Sequence, residues 1–120
     1  MNVIHIKSKN TKWQEETRYS RGVLFPYGNE IDSRLQVQLN TFEPGQGASN
    51  HKHLTQTEFI YCLEGTLNLT FEDREIIFRS GDLLIIEPGD EHAAENIGKE
   101  TVKLLTLKID GSPDDTEWLE

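Results

Sequence analysis

Residues 45–65 read GQGASNHKHLTQTEFIYCLEG, and three strong metal-ligand side chains stand close together there: His51, His53 and Glu58. Side chains of an extended strand alternate between faces, so His51 and His53 point the same way and reach one ion. Beyond the polar break at residues 54–57, Glu58 opens an apolar run to Leu63 that reads as a second strand. Three ligands of mixed nitrogen and oxygen type hold a divalent metal and leave coordination positions open for chemistry. A fourth ligand is expected downstream.

The composition bounds what such a site can serve. At 120 residues, with 35% hydrophobic and 28% charged side chains, the chain has the size and make-up of one globular domain. No apolar run approaches the roughly 20 residues needed to cross a bilayer. The net charge of −9, from 21 acids against 12 bases, opposes contact with a phosphate backbone or an anionic membrane, so neither partner is expected. The single cysteine, Cys62, leaves no disulfide framework and fits a reducing compartment. The start, MNVIHIKSKN, lacks the charged and apolar regions of a signal peptide. A cytoplasmic location is the expectation.

Along the chain, residues 3–6 read as a short strand, and residues 21–27 as a strand or loop ending in a turn at Gly28-Asn29. Residues 34–42 alternate strictly, with Leu35, Val37 and Leu39 on one face and Gln36, Gln38 and Asn40 on the other. The polar face either meets solvent or lines a cavity. Gly47 reads as a flexible position ahead of the histidines. Further strands are expected at residues 58–63, 66–71, 75–79, 83–86, 92–96 and 101–109, separated by turns such as Glu64-Gly65 and Ser80-Gly81-Asp82. Residues 83–86 read as buried, and the acidic tail from Asp110 as irregular. Many short strands without an amphipathic helix argue for an antiparallel sandwich or barrel.

The fourth ligand appears at His92, within GDLLIIEPGDEHAAEN, residues 81–96. Together the two stretches resemble the two signature motifs of the cupin superfamily. Gly45, His51, His53, Glu58 and Gly65 match the first motif at every spacing, and Gly81, Gly89, His92 and Asn96 match the second. Glu87 stands where that motif has a proline, a turn position that carries no ligand. The resemblance implies an all-β, antiparallel jelly-roll barrel, a double-stranded β-helix, spanning about residues 20–110 of one cupin domain, 1–120. It also implies His51, His53, Glu58 and His92 as ligands of one divalent metal, with Fe, Mn, Ni, Zn, Co and Cu all compatible with the donor set. No separate organic cofactor site is read.

The function implied is that of a small-molecule enzyme. A dioxygenase acting on a diketone, enediol or flavonol is the leading reading. The alternatives are an isomerase, epimerase or lyase acting on a sugar or sugar acid, and a non-enzymatic metal- or metabolite-binding cupin. Glu58 is the candidate for proton transfer, with Gln38, Tyr27 and Arg21 as candidate pocket residues and Cys62 sharing the inward parity of Glu58. An acid or base placed beside the metal would favour the isomerase or lyase. A homodimer is expected, with residues 3–6 as the pairing edge.

Overall fold

The alternating stretch becomes strand β3 (Gln36–Phe42). The other strands are β1 (Trp13–Glu15), β2 (Ser20–Phe25), β4 (Gly47–His53), β5 (Thr57–Glu64), β6 (Thr66–Phe71), β7 (Glu75–Arg79), β8 (Leu83–Ile86), β9 (His92–Glu95), β10 (Val102–Ile109) and β11 (Thr116–Trp118). The computed structural model describes residues 3–16 and 18–119. The strands form two antiparallel sheets, ordered β1-β2-β3-β10-β5-β8 and β11-β4-β9-β6-β7. Buried side chains from both, among them Phe42 and Leu104 from the first and Leu67 and Phe78 from the second, meet in one core. This is the antiparallel jelly-roll barrel.

Register divides the barrel interior into two ends. On the inner face of β10, Val102 and Leu104 are followed by Thr106 and Lys108. Val102 lies opposite Phe42 of β3, and Leu104 opposite Cys62 of β5. At the other end Lys108 lies opposite both Gln36 and Glu58. Apolar partners therefore align with apolar, and polar with polar, across three adjacent strands. The first end is the apolar core. The second is a polar chamber.

Two glycines of the first motif meet steric demands of the closure. Gly65 has a φ of 83°, in the left-handed region, and a Cβ there would stand 2.8 Å from the Thr101 carbonyl oxygen. Gly47 is not held for flexibility. It lies inside β4, and a Cβ on it would collide with the Ala94 carbonyl oxygen of β9. Only glycine lets these two strands approach so closely just ahead of the histidines.

Several expectations need correction. Residues 3–6 form no strand within this chain, and Val3 is 82% exposed. Residues 83–86 are not buried as a whole: β8 is an edge strand whose Leu83 and Ile85 face outward, and only Ile86 is enclosed. The tail is not irregular throughout, because β11 pairs with β4. Nor are all its acids solvated, since Asp115 is buried. Cys62 is fully enclosed in the apolar end, where burial raises its thiol pKa, so it is a core residue and not a pocket residue.

Candidate metal centre

A cavity of about 380 Å³ lies between the sheets at the polar end. Strand alternation turns His51 and His53 of β4 into it, and β9 begins with His92, opposite His51 in the ladder. Ligand atoms of these three buried imidazoles lie within 4.8 Å of one another. Three histidines so placed can hold a metal ion. Glu58 enters from β5 in the opposite sheet and is also buried.

The outer nitrogens of the rings are held by the protein. His51 Nδ1 lies 2.7 Å from the Ser49 carbonyl oxygen, and His92 Nδ1 lies 2.9 Å from that of Asp90. A carbonyl only accepts, so each Nδ1 carries the proton and each Nε2 keeps a free lone pair. His53 Nδ1 lies 3.2 Å from Thr116 Oγ1 of β11. Its buried Nε2 faces Glu58 Oε1 yet has no hydrogen-bond partner among the described residues. A basic nitrogen and a carboxylate oxygen turned toward each other in this way are the donor set that a divalent cation satisfies.

Charge states point the same way. Burial, followed by repulsion from His92, lowers the His51 pKa to about 4. Burial is also the main cause that lowers His92. Both rings are therefore neutral at pH 7, as metal ligands must be. Burial alone would raise the Glu58 carboxyl. The facing His53 ring and the Lys108 ammonium outweigh it and bring it down to about 2.

These shifts set a pH dependence for the metal-free fold. Unfolded His51 takes up its proton near pH 6.5 and the folded one only near 4, so the unfolded state binds more protons in that window. Stability is thus complete above 6.5 and falls as the pH drops toward 4, by roughly 3 kcal/mol at full extent. The depressed Glu58 continues the loss below its ordinary value of 4.5 toward 2. Melting temperature measured in chelator should decline from pH 7.5 to 4.5, and the decline should be smaller in His51→Ala. An equal slope in the variant would remove His51 as the cause.

Of the other pocket candidates, Gln38 and Arg21 line the cavity. Gln38 belongs to a directed ladder. The Tyr27 backbone nitrogen donates to Gln36 Oε1, Gln36 Nε2 to Gln38 Oε1, and Gln38 Nε2 to Asn40 Oδ1, which also accepts from Thr106 Oγ1. The polar face of β3 is therefore the inner one. Arg21 is bound to Glu16 at 2.8 Å and to Gln14 Oε1 at 3.0 Å. Tyr27 does not reach the cavity: its hydroxyl donates to Gln56 Oε1 at 2.8 Å, one layer behind.

Lys108, Thr106 and Trp118 are among the cavity residues that the sequence reading did not single out. Lys108 and Thr106 carry a faint signal, because they continue the inward parity of Val102 and Leu104 on one strand. Trp118 carries none. Its ring centroid lies 4.7 Å from that of His51, at the end of a tail that reads as solvated.

A jelly-roll barrel with three convergent imidazoles that could hold a metal, and a carboxylate facing them, defines the double-stranded β-helix class. A family model described as "Cupin domain" matches residues 38–108, and the chain belongs to the cupin family. It is 38% identical over 71 residues to an uncharacterized protein of Methanocaldococcus jannaschii, covering 58% of this chain and 57% of that protein. It is 33% identical over 75 residues to a mannose-1-phosphate guanylyltransferase of Sinorhizobium fredii, covering 62% of this chain but 15% of the enzyme. The chain thus spans well under two thirds of either curated relative. Among solved structures, a predicted oxalate decarboxylase of Thermotoga maritima superposes with a TM-score of 0.78 at 18% identity, over 88% of this chain and 98% of that one.

Proposed function

We propose that His51, His53, Glu58 and His92 bind one divalent transition metal, and that the protein is a metal-dependent enzyme acting on an oxygen-rich small molecule as an isomerase, epimerase or lyase. The observation that carries this choice over the dioxygenase is the polarity of the chamber. Gln38, Asn40, Thr106, Arg21 and Lys108 all line it beside the four ligands. Apolar side chains such as Ile60, Leu67 and Leu104 line the cavity as well, but an apolar substrate would desolvate the polar groups around the ligands without giving them new partners, which is costly. A sugar or sugar acid replaces the lost water with hydroxyl and carboxyl groups.

When bound, the metal supplies Lewis acidity toward a carbonyl oxygen and so acidifies the adjacent C–H. The chain's own part is to place and to neutralise. The Nδ1 contacts to Ser49, Asp90 and Thr116 orient the three rings. The ladder that ends on Asn40 Oδ1 makes the Asn40 amide nitrogen its terminal donor for a substrate hydroxyl. Glu58 is the buried anion nearest the reacting centre and the group to hold a proton in transit.

Purified protein should carry about one transition metal per chain. In deuterated buffer it should exchange the hydrogen next to the carbonyl of a sugar or sugar acid, as seen by proton NMR, without consuming oxygen. Oxygen uptake with a diketone or flavonol would return the choice to the dioxygenase. Protein that takes up no metal under any loading condition would end both.

A further inference from the structure

Lysine is among the side chains least often placed on the inner face of a barrel strand, and an ammonium group there requires a partner. Lys108 occupies such a position, fourth on the inner parity of β10, and it lines the cavity. The obvious partner is Glu58, directly across the ladder. Yet Glu58 Oε1 is turned to His53 and to Gln56 Nε2, and among the described residues Lys108 forms no ion pair with any acid. The second cation at the chamber, Arg21, is already neutralised by Glu16 at 2.8 Å. Lys108 is therefore the cation lining the chamber that closes no ion pair among the described residues, although Glu58 across the ladder acts on it at longer range.

We propose that Lys108 is the recognition cation for a carboxylate of the substrate, so that the chamber selects small hydroxy- or oxo-acids over neutral sugars of the same size. This rests on the metal-dependent reading above and narrows its substrate class. A divalent ion with one carboxylate ligand and three neutral rings keeps a positive charge, and Lys108 adds a second one beside it. That local positive charge sits inside a chain of net charge −9. A ligand with two anionic or oxygen-rich ends, one for the imidazole-lined pole and one for Lys108, matches both charges. The cavity of about 380 Å³ has room for about a dozen water-sized groups, which accommodates a six-carbon acid.

The test uses calorimetric titration of the metal-loaded full chain with oxalate, tartrate and glucuronate, and with glucose as the neutral match for glucuronate. At least one acid should bind, and glucuronate, if it is that acid, at least tenfold more tightly than glucose. Lys108→Gln should weaken the binding acid tenfold or more at unchanged metal content, while Lys108→Arg keeps it within that limit. If Lys108→Gln does not fold by circular dichroism, Lys108→Met takes its place. A smaller loss in the neutral variant, equal affinity for glucose, or no binding by any of the acids would overturn the proposal. Metal content is measured separately on every sample, so failure of the metal site is read from that assay and failure of Lys108 from the acid affinities alone.

Discussion

Replacing His51 or His92 with alanine should strip the protein of most of its bound metal while leaving the barrel folded. Neither ring belongs to the buried apolar cluster that runs from Phe42 to Leu104, and the one aromatic packed against that cluster that loses a neighbour is Phe71, which stacks on His92 at 5.8 Å. Losing a residue that merely orients a ligand costs roughly 10- to 100-fold in metal affinity, so losing a ligand should cost more than about 100-fold. His51 and His92 are also the pair whose rings lie nearest, with centroids 4.2 Å apart, and either loss opens the same side of the site. The check is metal analysis after dialysis, with far-ultraviolet circular dichroism on the same samples. Stoichiometric metal in both variants would mean the ligands are elsewhere.

Replacing Asp115 with alanine should destabilise the protein by about 2–4 kcal/mol and weaken metal binding as well. This carboxylate accepts from the Thr55 backbone nitrogen at 3.0 Å, from Thr55 Oγ1 at 2.7 Å and from the Gln56 backbone nitrogen at 2.8 Å. Burial would raise its pKa, but these hydrogen bonds win and lower it. Gln56 is 1% exposed, so its N–H has no water to turn to once the acceptor is removed. A buried donor left unpaired costs about 1–3 kcal/mol, and the charged acceptor puts this case at the upper end. Thr55 and Gln56 form the turn between His53 and Glu58, so a loosened turn spreads two of the four candidate ligands. Urea unfolding and competition with a metal-binding dye read the two effects separately. Asp115→Asn, which keeps one acceptor oxygen, should recover part of both. A stable, tight-binding alanine variant would show that the tail does not hold this turn.

Asp115 also shows where reading the chain stopped. Within the acidic tail from Asp110, nothing local sets Asp115 apart from its neighbours. Its role exists only because β11 folds back along β4, placing Thr116 beside His53 and Trp118 beside His51. A three-residue strand has too little periodicity to announce itself. Lys108 is similar: its parity is visible, but that it closes no ion pair among the described residues is a matter of where Glu58 and Glu16 turn.

What the sequence by itself determined is local and backbone-borne. The parity of His51 with His53, the strand between Glu58 and Leu63, the turn at Gly65 and the alternation of residues 34–42 all follow from the two-residue repeat of an extended chain. The motif spacing added His92 and the barrel. Which face of each strand looks inward was decided only by tertiary structure, because a period of two is symmetric between faces. In β3 the polar face went inside, where Gln36, Gln38 and Asn40 find one another and Thr106 across the ladder. In β8 apolar Leu83 and Ile85 stayed outside, because an edge strand has a covered side and an open one. Residues 45–65 could name the donors of a metal site. Only the closing of one sheet over the other brings Glu58, Lys108 and the amide ladder up to the imidazoles and makes the site a chamber with a charge of its own.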